Sequence, residues 1–153
     1  YKVENMKEVE KLRELYIAKN CFNSIESKRL KELDKNKWEH YININTDFVW
    51  YEDTEKGKNI LKNIDSIPND FRDSFVSLLK KVRCFYNYRN TEYDYSIGFS
   101  EQSDKVMISF EVKITHKELK SFLDMANYLD ALLLIDEKTV IDQQFIEELE
   151  RKQ

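Results

Sequence analysis

The stretch 93–114, YDYSIGFSEQSDKVMISFEVKI, decides the fold class. Tyr93, Tyr95, Ile97 and Phe99 alternate with polar or small residues, and so do Val106, Ile108, Phe110, Val112 and Ile114. A period of two belongs to a strand with one buried face. The link Ser100–Lys105 is polar throughout and reads as a hairpin loop. Directly after it, Thr115-His-Lys-Glu118 spells a capping box, with Ile114 and Leu119 placed as its hydrophobic staple. Leu119, Phe122, Leu123, Ala126, Leu129 and Leu133 then follow along one helical face. Antiparallel sheet followed by an amphipathic helix is α+β chemistry.

Upstream, Trp38, His40, Ile42 and Ile44 alternate against Glu39, Tyr41, Asn43 and Asn45, which predicts a strand. Asn45-Thr-Asp47 is a turn signal, and Phe48-Val-Trp-Tyr51 reads as the antiparallel partner strand. Thr54 can cap a helix carrying Ile60, Leu61, Ile64 and Ile67, with Gly57 weakening its first turn. Phe71, Phe75, Leu78, Leu79 and Val82 predict a second helix, with Asp70 and Asp73 at its start and Lys80, Lys81 and Arg83 at its end. Val3, Met6, Val9, Leu12, Leu15 and Tyr16 trace a helical stripe at the start of the chain. A short helix is expected from Asn23 to about Asn36, and a last one on Phe145, Ile146 and Leu149. The expectation is one domain over 1–153: an antiparallel four-stranded sheet made from two hairpins. Helices lie N-terminal, between the hairpins and C-terminal, packed on one face.

The composition narrows the function classes. A chain of 153 residues with 41% hydrophobic residues can bury a real core despite 35% charge. No apolar run is long enough to span a bilayer. Charges begin at Lys2, so the start does not read as a signal peptide, and a cytoplasmic, reducing setting is expected. The two cysteines, Cys21 and Cys84, each sit beside a Phe at an expected helix end and read as buried reduced thiols. Net charge is −4, and the excess of acid lies in the middle and C-terminal parts of the chain, which argues against nucleic acid or an anionic membrane as partner.

Signatures of catalysis are missing. Two glycines, Gly57 and Gly98, cannot build a phosphate cradle, a dinucleotide fingerprint or a nucleophile elbow. Two histidines and two cysteines lack zinc spacing, and no cofactor or metal is expected. His116-Lys-Glu118 spells the opening of the zinc deaminase signature, but no C-x-x-C follows. His116 reads as a solvated first-turn residue and His40 as a core histidine on the inward strand face. Paired carboxylates at Glu52, Asp53, Glu92 or Asp94 would suit a hydrolase only if two of them converged in a pocket.

What remains is binding. The run Phe85-Tyr-Asn-Tyr-Arg89, followed by Tyr93 and Tyr95, is rich in the residue type that anchors protein interfaces, or else these tyrosines pack the sheet and its edge. Acidic residues beside them would steer a basic protein. The candidate partner-binding set is therefore Glu52, Asp53, Glu55, Tyr86, Tyr88, Glu92, Tyr93 and Asp94.

The middle of the chain also resembles a known family. Trp38-Glu-His-Tyr41 after a helix, the aromatic strand Phe48–Tyr51, the helix on Phe71, Phe75, Leu78 and Leu79 ending Lys80-Lys-Val-Arg83, and the hairpin of Tyr93–Phe99 and Val106–Ile114 are similar to the YezG-like immunity proteins of Gram-positive bacteria. The likeness covers residues 38–114. It implies a small acidic α+β protein that neutralises a secreted toxin, a nuclease, by direct binding. A regulatory or scaffolding interaction domain is the alternative from the residues alone.

Overall fold

The computed structural model describes residues 9, 11–21, 32–89, 92–136 and 138–152, with backbone alone at 75, 77–78, 87–89 and 92–93. Within them the chain is α+β: one antiparallel sheet of seven strands with five α-helices. The strands are β1 (Glu14–Ala18), β2 (Phe48–Trp50), β3 (Arg83–Arg89), β4 (Glu92–Ser100), β5 (Lys105–Phe110), β6 (Leu132–Leu134) and β7 (Val140–Ile141). The helices are α1 (Lys35–Ile44), α2 (Glu55–Lys62), α3 (Asn69–Leu78), α4 (His116–Tyr128) and α5 (Gln143–Lys152). Spatial order across the sheet is β2-β3-β4-β5-β1-β6-β7. The expected four strands are thus seven. The β4–β5 hairpin stands as expected except that β5 ends at Phe110 rather than Ile114, and β2 pairs with β3 rather than with a strand before it.

Residues 38–44 lie in a helix, not a strand. Asp34 caps it by accepting the Lys37 N–H at 3.2 Å. Trp38, Tyr41 and Ile42 face the core at i, i+3 and i+4, whereas His40 and Ile44 point to solvent. Trp38 and Ile42 satisfy both periods, and Tyr41 is the residue that separates them. His40 is therefore an exposed ring stacked on Tyr128, not a core histidine. The opposite correction applies to the N-terminal stripe. Leu15 and Ile17 alternate into the core from β1, while residues 3, 6 and 23–31 lie outside the described residues; the expected helix does not reach Asn36 as one element, since 32–34 are not helical and α1 starts at Lys35.

Register aligns one sheet face into rows. Trp50, Cys84, Ile97, Ile108 and Leu15 are successive cross-strand partners, as are Phe48, Tyr86, Tyr95 and Phe110. All nine are buried, each worth on the order of 1.5–3 kcal/mol for the large side chains. Trp38, Leu119, Phe122, Met125, Ile146 and Leu149, from α1, α4 and α5, belong to the same core. Rings interlock there: Trp38 meets Trp50 edge-on at 5.4 Å, and Phe122 lies 5.3 Å from both Tyr86 and Tyr95.

The segment between β2 and β3 departs from expectation. Leu61 and Phe71 are 58% and 60% exposed, so these two members of the expected apolar stripes do not join the core. Helix α3 stops at Leu78, and Lys81 takes a left-handed φ of 55° before β3 begins at Arg83. The Glu52 carboxylate accepts the Lys81 N–H at 2.9 Å, tying the two ends of the segment together. Thr54 does cap α2, accepting the Gly57 N–H at 3.1 Å. Gly57 is required rather than merely tolerated. A Cβ there would overlap the Tyr51 carbonyl oxygen and come within 2.8 Å of the Glu52 Cα, both backbone atoms. Gly57→Ala should therefore destabilise by about 1–3 kcal/mol in a urea titration, although helix propensity alone favours Ala by about 1 kcal/mol. A stabilised Ala variant would show that the turn can open at no cost.

Cys84 is buried in β3, and burial, reinforced by the Glu52 charge, pushes its thiol pKa up. Cys21 is exposed, against expectation, and both thiols are free. A neutral thiol reagent should modify one cysteine in the native protein, Cys21, and both in denaturant. Equal native labelling of Cys84 would contradict its placement.

Candidate binding surface

The second face of the sheet follows from the other half of each alternation. Glu14, Ser109, Ser96 and Phe85 are successive cross-strand partners, and so are Tyr16, Met107, Gly98 and Arg83. A cleft of about 960 Å³ opens over this face, lined by Arg13, Glu14, Phe85, Asp94, Ser96, Ser109, Phe110, Glu111 and Val112. A smaller groove of about 210 Å³ continues it through the shared Ser96 and Ser109 to Arg83, Gly98 and Met107. The described lining residues of both come from strands and their immediate ends, none from a helix.

The two ends of this trough differ in charge. Glu14, Asp94 and Glu111 put three carboxylates against one guanidinium, Arg13, at the cleft end. Glu14 is held by the Tyr16 hydroxyl, which donates to it at 2.6 Å. Arg83 donates to the Ser96 hydroxyl at 2.9 Å where the two grooves join, and beyond it the Lys105 ammonium sits 5.0 Å from the centre of the Tyr16 ring. Potential therefore runs from negative to positive along the strands.

Of the eight residues expected to bind a partner, the five with described side chains are not gathered in one patch. Among those five, Asp94 alone lines the cleft. Glu52 and Asp53 lie in the 3-10 turn Tyr51–Asp53 and Glu55 in the first turn of α2; Glu52 is partly buried and committed to Lys81. That turn does adjoin the cleft, because the Tyr51 ring packs 6.1 Å from Phe85. Tyr86 is a core residue, 3% exposed, with its hydroxyl hydrogen-bonded to Ser121 Oγ at 3.0 Å. It shares the inner face with Cys84, its neighbour at i−2. Tyr88, Tyr93 and Glu92 are placed by backbone only: Tyr88 pairs with Tyr93 and Arg89 with Glu92 across β3 and β4. The residues missed are Glu14, Ser96, Ser109 and Glu111. Their signal lay in the polar half of the alternation in 93–114, and in β1, which read as helix.

Among the described residues no group of three His, Cys, Asp or Glu side chains could hold a metal ion, and no helix is long and apolar enough to cross a membrane. No protein-family model, curated protein or solved structure matches the chain. Two elements behind the family likeness also differ: Trp38–Tyr41 lies inside a helix, and the helix on Phe71 yields to β3 at Arg83.

Proposed function

We propose that this chain acts by binding a protein, and that the partner is a basic toxin domain, a nuclease, which it neutralises by occlusion. The observation that carries the reading is the acidic cleft on the sheet face that no described helix lines, where Glu14, Asp94 and Glu111 share the lining with Phe85. Carboxylates at a rim steer a cationic partner and speed association, and the exposed Val112 and Met107 supply apolar area for the bound state. The acidic turn 51–55 beside Phe85 extends the same sign of charge. The toxin part of the reading rests on the family likeness; the cleft itself would equally serve a regulatory partner.

Affinity capture from the source organism, with the purified chain as bait, separates the two. The expected catch is a basic toxin domain whose activity falls to zero at stoichiometric addition of the chain. A captured protein that stays fully active when saturated, or one with no toxic activity, would sink the neutralising role.

A further inference from the structure

We infer that the partner's main chain makes its closest approach over Gly98, in the trough between Phe85 and Met107, with its cationic side chains directed to Glu14, Asp94 and Glu111. The inference rests on the binding role just proposed and assigns it a pose.

Among the described residues nothing requires Gly98 to be glycine. It lies in the interior of β4, paired with Arg83 on one side and Met107 on the other. Its φ is not positive, so an ordinary residue fits its backbone. A Cβ added there would meet only the Val82 carbonyl oxygen, at 3.7 Å, an ordinary van der Waals contact. Glycine in a strand interior weakens the sheet, and β-branched residues would suit the site better. A strand glycine that neither turns nor relieves a clash marks a place where another backbone comes close.

The surroundings agree in shape and charge. Ser96 and Ser109 keep the trough low beside Gly98, and all three line the same continuous groove. Met107, 38% exposed, offers an adaptable apolar contact at its edge. Arg83 lines the groove beside Gly98 and Lys105 lies over the Tyr16 ring, so a cationic side chain is repelled on that side and drawn to the carboxylates, which fixes the direction of the segment. A basic segment with an apolar stripe matches both the floor and the rim.

The probe is a synthetic amphipathic peptide of Lys and Leu, titrated into the nitrogen-15-labelled full chain. Amide shifts should concentrate at Ser96, Gly98, Met107 and Ser109. Gly98→Val should weaken binding by roughly tenfold or more while its melting temperature stays equal or rises. Shifts confined to residues 52–55, unchanged affinity for Gly98→Val, or a lower melting temperature in that variant would each overturn the inference. Ser109→Arg, which raises the trough from the next strand, gives an independent reading: its affinity should fall as well. Should a toxin be captured and bind Gly98→Val as tightly as wild type, the pose fails and the neutralising role stands. If no toxin is caught but the peptide seats at Gly98, the pose stands without it.

Discussion

Trp38→Ala is expected to destabilise the protein by about 3–5 kcal/mol, a large share of the 5–15 kcal/mol typical of a domain. Trp38 is fully buried where α1 crosses the sheet, with Trp50 and Phe99 each 5.4 Å away. Truncation removes both ring contacts and leaves a cavity that α1 cannot close, because Tyr41 and Ile42 hold the same helix to the sheet. The indole Nε1 of Trp38 has no hydrogen-bond partner, an uncommon state for a buried donor. Trp38→Phe keeps an aromatic ring and deletes that unsatisfied group, so it should cost only about 1–2 kcal/mol. Guanidinium unfolding of the two variants checks the pair. Equal losses would mean that the Nε1 proton has a partner after all.

Tyr86→Ala is expected to cost about 3–4 kcal/mol, although sequence reasoning placed this residue at an interface. Its ring meets Phe48 at 5.0 Å, Phe122 at 5.3 Å and Tyr95 at 5.7 Å. Offset and edge-on pairs of this kind add about 0.5–1.5 kcal/mol each beyond the area buried. Tyr86→Phe keeps every ring contact and loses only the bond to Ser121, about 1 kcal/mol. That variant stays folded, so it can be carried into binding measurements, where affinity should match wild type. A folded Tyr86→Phe that binds much more weakly would return the residue to the interface.

These residues also mark what the sequence could disclose. The β4–β5 hairpin was legible because one face is buried and the other wet, so the period of two is clean from Tyr95 to Phe110. The caps at Thr54 and Thr115 were legible because they are local hydrogen bonds between near neighbours, the Glu118 carboxylate reaching the Thr115 N–H at 3.2 Å. Strand β3 was hidden because Phe85 and Tyr86 are both buried, on opposite faces, which erases alternation. Strand β6 was absorbed into the preceding helix for a similar reason, since Leu133 and Leu134 are both fully buried.

The stop signal between α4 and β6 was there, without the usual glycine. Asp130 takes the left-handed φ of 52°, and its N–H and that of Ala131 bond back to the carbonyls of Asn127 and Ala126 at 3.0 and 2.9 Å. This is a Schellman ending. Lys19 at the end of β1 donates to the freed carbonyls of Leu129 and Asp130. A cation from 110 residues away supports the helix terminus, and no local reading of 115–135 could contain it.

The candidate surface was half legible for the same reasons. Asp94 was singled out as an acid beside tyrosines, and it does line the cleft. Glu14 reached the site only through the pairing of β1 with β5, a long-range contact that the helical stripe of Leu12, Leu15 and Tyr16 concealed. The tyrosines chosen for their interface chemistry divide by parity along β3: Tyr86 points inward with Cys84, and the residue between them, Phe85, forms the cleft floor.

Binding through the open sheet face is tested most directly by calorimetric titration of the captured toxin domain into wild-type chain and into the Glu14→Lys, Asp94→Lys, Glu111→Lys triple variant. Like charges across an interface cost several kcal/mol, so the variant should bind roughly a hundredfold more weakly, with wild-type affinity falling as salt is raised. A folded triple variant with wild-type affinity would contradict this surface as the site of binding.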